Sequence, residues 1–159
     1  MDISKLKIGL VSASLSHMEA RERTHTTLVR SSVDGAVAEL KKLGLDIEKQ
    51  IILKEVPGVL EVPIMCKRLI KNQQVDGIIA FGLIIDGGIY RHEFVAQSSL
   101  DLIMHLSLST STPVASCLLA PQAKNAVETE FDMLFENLSD KGAESARALL
   151  EQIELLNAV

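Results

Sequence analysis

The run Ile78-Ile79-Ala80-Phe81-Gly82-Leu83-Ile84-Ile85 constrains the fold more than any other stretch of the chain. A segment without charge and without alternation suits a strand covered on both faces, as in parallel sheets. Asp86-Gly87-Gly88 closes the run, and a pattern with helical spacing begins at once. A buried parallel strand therefore feeds a helix through a tight turn. Ligands of such sheets collect at the carboxyl ends of the strands, where a helix N-terminus presents unpaired N–H groups. Gly87 and Gly88 would let an anion such as a phosphate approach the backbone, although paired glycines after a strand also serve as a plain turn. Arg91 and His92 follow in the first turn of the predicted helix, a cation and a titratable imidazole beside that position.

The rest of the chain alternates in the same way. Leu6-Lys7-Ile8-Gly9-Leu10-Val11-Ser12 reads as the first strand and Ser12-Ala13-Ser14-Leu15-Ser16-His17 as the loop after it. Leu28, Val29, Val33, Ala36, Val37 and Leu40 follow with helical spacing up to Gly44, a C-terminal stop. Residues 46–56 mix Ile47, Ile51 and Leu53 with charge and suit a half-exposed edge strand. Pro57-Gly58 marks a turn, and Pro63 opens a helix with Ile64, Cys66, Leu69 and Ile70 as its predicted buried stripe. Glu61 lies at that helix start, where the dipole favours an acid whether or not it binds anything.

The helix predicted over 90–109 has one face of Val95, Ser98, Ser99, Leu102, Ile103 and Leu106 and a second stripe of Leu100, Met104 and Leu108. Two apolar sectors imply burial on two sides, the second against another subunit. Asp101 and His105, one turn apart between the sectors, can pair with each other or across that contact. Val114 to Leu119 reads as the fourth strand. A helix is predicted over 124–137 with Val127, Phe131, Leu134 and Phe135 inward, then a loop, Leu138-Ser139-Asp140-Lys141-Gly142, and a last helix carrying Ala146, Leu149, Leu150, Ile153 and Leu156. The sum is one α/β domain over residues 1–159. It is a three-layer αβα sandwich, flavodoxin-like, with a four-stranded mostly parallel sheet. Loops near Ser14, Val59 and Gly87 converge on one rim.

Composition removes several function classes. The net charge of −5 with no basic block, no Trp and one Tyr disfavours nucleic acid as a partner. No apolar run approaches a membrane span, and the N-terminal residues lack the order of a signal peptide, so the expected location is cytoplasmic. Cys66 and Cys117 lack metal-ligand spacing and read as reduced and buried. No metal and no cofactor is implied. A mean hydropathy of +0.24 in a chain this small offers more apolar surface than one core needs, which favours an obligate oligomer.

Two long motifs, Val56-Pro57-Gly58-Val59-Leu60-Glu61-Val62-Pro63 and Ile85-Asp86-Gly87-Gly88-Ile89-Tyr90-Arg91-His92-Glu93-Phe94-Val95, resemble those of the lumazine synthase family. The second resembles its type II branch. The resemblance covers nearly the whole chain, including Asp140-Lys141-Gly142 near its end. It implies a transferase of riboflavin biosynthesis that condenses 5-amino-6-(D-ribitylamino)uracil with 3,4-dihydroxy-2-butanone 4-phosphate to 6,7-dimethyl-8-ribityllumazine. It further implies a homo-oligomer built of pentamers, in this branch a decamer, with each site between neighbouring subunits.

Carried over by position, the resemblance implies that Leu15 lies against the heterocycle and that the backbone around Leu83, Ile84 and Ile85 holds its ring. Val59, Leu60 and Glu61 would hold the ribityl chain. Gly87, Gly88, Arg91 and Lys141 would take the phosphate, with Ser116 and the Lys141 region supplied by the neighbour. His92 and Arg91 are the catalytic candidates, His92 shuttling protons and Arg91 holding the phosphate.

The chain departs from the family at three places. Leu15 stands where most members carry a stacking aromatic, Met133 where many carry a phosphate-binding Arg, and Arg91 at the common catalytic His position, with His92 about 100° further round a helix. These departures motivate an alternative, a catalytically weak lumazine- or flavin-binding oligomer. A redox or phospho-acceptor domain of the same fold class fits less well. The first strand ends in Ser12 rather than clustered acids, and the loop after it has no Gly.

Overall fold

Four apolar segments dictate the sheet. The computed structural model describes residues 2–14, 20–86, 91–121 and 131–159, with their side chains except at 20–25, 131 and 132. Its strands are β1 (Ile8–Ala13), β2 (Ile51–Val56), β3 (Gly77–Leu83) and β4 (Val114–Leu119). All three pairings are parallel, in the order β2-β1-β3-β4, so the mostly parallel sheet expected is parallel throughout. β1 and β3 are buried along their whole length; β2 and β4 are the half-exposed edges.

The longer helices are α1 (Ala20–Lys42), α3 (Val62–Gln73), α4 (His92–Thr110) and α5 (Phe131–Asn157), with a short α2 (Ile47–Gln50) ahead of β2. α1 and α5 cover one face of the sheet over Leu28, Leu40, Ile79, Phe81 and Leu149. On the other, α3 and α4 enclose Val11, Val62, Cys66, Ile78 and Ile103. This is the three-layer, flavodoxin-like sandwich the alternation implied. Gly44 follows α1 with φ +100°, the left-handed stop read from the sequence.

Several boundaries differ, each for a local reason. β1 begins two residues later than Leu6 because a 3-10 turn, Ile3–Lys5, precedes it. Residues 47–50, read as part of the edge strand, are helical. Asp46 caps them, accepting from the N–H groups of Glu48 and Lys49, and Gln50 Nε2 donates to the carbonyls of Ile3 and Leu6. The loop predicted at 138–142 is helix instead, for α5 runs unbroken from Phe131 to Asn157. Gly142 does not end a helix there. It lets α5 touch α1, since a Cβ at Gly142 would collide with the carbonyl of Ser32 and one at Gly35 with that of Ser139.

Some side chains turn the other way. Ile64 is 59% exposed, because the buried stripe of α3 is Val62, Pro63, Cys66 and Leu69, and Ile64 falls on the outer face with Lys67, Arg68 and Lys71. Phe135, expected inward, is exposed on α5, as is Leu156 near its end. On α4, Ser99, Ile103 and Leu106 are buried, while Ser98 and Leu102 lie outside the core. Met104 at 62% and Leu108 at 82% exposure are the open second stripe. Asp101 accepts from Gln97 Nε2 at 2.8 Å. Both cysteines are buried and free, and burial pushes the Cys66 thiol up to about 12. Among the described residues no helix is long and apolar enough to cross a membrane.

Candidate active site

Two segments meet at the carboxyl rim of the sheet. After β2, Pro57-Gly58 turns the chain into a 3-10 turn, Val59–Glu61, which runs directly into α3. Pro63 suits the start of α3, where its missing N–H has no helical partner to lose. The turn is seated against β3: a Cβ on Gly82 would come within 3.2 Å of Val59 Cγ1 and 3.0 Å of Leu118 Cδ2. α4 packs against the same turn.

The second segment is the end of β3. Leu83 and Ile84 are buried and Ile85 half-buried, and Ile84 N–H donates to Leu119 O at 2.8 Å, extending the β3–β4 pairing past the strand. With the side chains of Leu83 and Ile85 packed toward the α1/α5 core, the segment has mainly backbone to offer a ligand.

Arg91 and His92 differ in setting. Arg91 is the N-cap residue of α4 with extended backbone, rather than a first-turn residue, and His92 is the first helical residue. The Arg91 side chain is 70% exposed and that of His92 18%. Glu93 Oε2 lies 3.8 Å from Arg91 Nε and 3.6 Å from His92 Nδ1, too long for hydrogen bonds but close enough for charge to act. The Arg91 guanidinium also lies over Phe94, 4.7 Å from the ring centroid, a cation–π contact that restrains an otherwise solvated side chain.

Other candidates lie apart from this rim within one chain. Ser116 is exposed in mid β4, level with Ala80, and about 10 Å short of the strand end at 3.3 Å per residue. Lys141 is on α5, on the opposite face of the sheet from α3 and α4, and pairs with Glu144, which raises the lysine above its usual range. Met133 is exposed on α5. Leu15, Gly87 and Gly88 lie outside the described residues.

Sequence reading missed a polar cluster at the ends of β1 and β2. Ser14 Oγ donates to Glu55 Oε1 at 2.8 Å, and Arg30 Nη2 from α1 reaches the same oxygen at 3.5 Å. Its signal was a charged residue at the end of the edge strand. The spatial roles of Gly58 and Gly82 were also missed, for both glycines sat in quoted motifs and were read only as turn or strand.

The rim sets backbone groups and Glu61 beside the start of α4 with its Arg91, His92 and Glu93, and among the described residues there is no group of three or more metal-ligating side chains. Residues 7–157 match the family model described as 6,7-dimethyl-8-ribityllumazine synthase. The chain belongs to that family. It is 37% identical over 135 residues to 6,7-dimethyl-8-ribityllumazine synthase 2 of Pseudomonas syringae pv. tomato, spanning 85% of this chain and 79% of the relative. Identity to 6,7-dimethyl-8-ribityllumazine synthase of Rhodococcus erythropolis is 36% over 135 residues, 85% of this chain and 86% of that one. A third relative, 6,7-dimethyl-8-ribityllumazine synthase 2 of Bradyrhizobium diazoefficiens, is 42% identical over 94 residues, 59% of this chain and 57% of its own. In this lumazine synthase family member the first long motif forms the 3-10 turn of the rim, and of the second the described residues follow β3 at Ile85-Asp86 and open α4 at Arg91 and His92.

Proposed function

We propose that this chain condenses 5-amino-6-(D-ribitylamino)uracil with 3,4-dihydroxy-2-butanone 4-phosphate to 6,7-dimethyl-8-ribityllumazine, the penultimate step of riboflavin biosynthesis, at the rim between Val59–Glu61 and Leu83-Ile84-Ile85. The match of residues 7–157 to the family carries this reading. The substrate amine attacks the ketone and loses water to give an imine, inorganic phosphate leaves, and ring closure expels a second water. Both substrates bring their own reactive groups, so the protein chiefly supplies orientation and prepaid entropy.

Glu61 accepts hydrogen bonds from ribityl hydroxyls, and Val59 and Leu60 border that chain. The backbone of Leu83, Ile84 and Ile85 holds the pyrimidinedione, with Leu15 against its face. Arg91, Gly87 and Gly88 take the phosphate, and His92 moves protons. Ser116 and Lys141 complete the rim of a neighbouring copy in a pentamer, two of which form a decamer. Their positions away from this chain's own rim support that assignment. The enzyme works as a single domain in the cytoplasm.

Met133 at the phosphate position, and Lys141 already held by Glu144, favour one second reading: an oligomer that binds lumazine or flavin and turns over slowly. Mixing the protein with both substrates and following lumazine fluorescence separates the two. Product well above the spontaneous rate supports the synthase; bound ligand with only the spontaneous rate supports the binding protein.

A further inference from the structure

The backbone does not require glycine at position 58. Its φ of −155° and ψ of 176° are extended values that any residue adopts. The requirement is spatial. A Cβ built on Gly58 would lie 2.9 Å from Glu61 Oε2, and beyond its two chain neighbours it meets no other heavy atom of the described residues within 4 Å. The 3-10 turn causes this, because Glu61 N–H donates to Gly58 O at 3.2 Å and brings the two residues onto one side. Among the described residues the Glu61 carboxylate has no hydrogen-bond or ion-pair partner. It occupies the space that a missing side chain leaves.

The backbone on either side of this contact is fixed. Val59 is lodged against β3 where a Cβ on Gly82 would be 3.2 Å away, and Val62 and Pro63 are buried at the start of α3. A methyl group at position 58 is therefore relieved by movement of the flexible Glu61 side chain and not by movement of the turn. We propose that Gly58 is a positioning residue that seats the Glu61 carboxylate, and so sets how tightly the site grips the polyol chain of the aminopyrimidine substrate. The proposal rests on the ribityl role given to Glu61 above.

Gly58→Ala tests it. The KM for the ribitylaminopyrimidine rises about five- to tenfold, the scale of one weakened charge-assisted hydrogen bond. The kcat and the KM for the sugar phosphate stay within about twofold, and the melting temperature does not fall, since alanine accepts this φ and restricts the unfolded chain. Glu61→Ala raises the same KM, and adding Gly58→Ala to it changes nothing further, because no carboxylate remains to be displaced. The proposal is overturned if Gly58→Ala leaves KM unchanged while Glu61→Ala raises it, or if Gly58→Ala acts equally in both backgrounds. Should Glu61→Ala leave KM unchanged, the ribityl role fails and the functional half of the proposal with it. A crystal structure of Gly58→Ala decides the geometric half separately. A displaced carboxylate on an unmoved turn supports the seating, and an unmoved carboxylate refutes it.

Discussion

The two faces of the sheet are finished differently. On one, α1 and α5 approach until their backbones touch at Gly35 and Gly142, Ser31 Oγ donates across to Phe135 O, and Arg147 Nη1 reaches Glu39 Oε1 at 3.0 Å. On the other, α4 is packed on its inner side yet leaves Phe94, Leu102, Met104 and Leu108 bare, and Ser99 Oγ is buried without a partner among the described residues. The first face is joined backbone to backbone, although Met133, Phe135, Leu155 and Leu156 of α5 remain exposed, whereas the second leaves the outer stripe of α4 open. The candidate rim borders the open one, since α3 and α4 both begin beside it. A candidate rim next to unfinished surface gives a second copy a use that a self-sufficient domain would lack.

The closed face is the more fragile of the two. Gly35→Ala or Gly142→Ala sets a methyl group against a backbone carbonyl that cannot rotate away, and overpacking of that kind costs about 3 kcal/mol, or roughly 10 °C in melting temperature. Thermal melting of both variants measures it. A loss below about 1 °C would mean that the helices can separate cheaply and that the two faces are not so different. Glycine inside a helix already costs about 1 kcal/mol relative to alanine, so the close approach must return more than that.

The open face is tested by charge. Met104→Glu with Leu108→Glu puts two carboxylates on the bare stripe without touching the buried one, so the fold persists and the assembly dissociates. Sedimentation would show a smaller species with an unchanged circular dichroism spectrum. Activity falls by more than about tenfold if neighbouring copies complete the rim, because pre-oriented contacts are lost together. An intact assembly with normal activity would place the subunit contact elsewhere.

His92 gives a smaller effect. His92→Ala lowers kcat about tenfold and leaves the melting temperature within about 1 °C, the modest loss expected where orientation outweighs proton transfer. Lys141→Ala, a change on the closed face, raises the KM for the sugar phosphate instead and leaves kcat near its starting value. Steady-state kinetics of the two variants show whether residues from both faces serve one site. An unchanged rate in His92→Ala removes the imidazole from the reaction.

These contrasts were unevenly legible in the sequence. The strands could be read because β1 and β3 are covered on both sides, and an unbroken apolar run has few other uses. The turn at Val59–Glu61 and the start of α3 could be read because Pro57-Gly58 and Pro63 punctuate the chain at fixed spacing. Helix phase was harder. Ile64 is apolar but exposed, and no periodicity distinguishes an isoleucine kept for a partner from one kept for the core. Gly142 misled for a related reason: glycine reads as a stop along the chain, whereas a second helix passing beside it explains its presence. Asp46 and Gln50 carried a capping signal inside an alternation that looked like strand. The burial of the Ser12 and Ser99 hydroxyls without a partner among the described residues leaves no trace in the sequence at all.

The smallest effect concerns acid. The hydrogen bond from Arg147 holds the Glu39 carboxyl below its ordinary range, with Lys42 adding charge attraction against the cost of burial. A carboxyl depressed in the folded state stabilises it fully above the unfolded value of about 4.3, and that share is lost as pH falls through the lower folded value. Acid unfolding of the intact protein should therefore steepen below about pH 4.3. Glu39→Gln keeps the shape and removes the titration, so its stability depends less on pH in that window and differs most from the parent near neutrality. Arg147→Met should flatten the same limb, since the carboxyl then returns toward its ordinary value. If instead Met104→Glu with Leu108→Glu moved this limb while Glu39→Gln left it alone, acid would be acting through the open face, and the division between a self-closed and a partner-closed side would have to be redrawn.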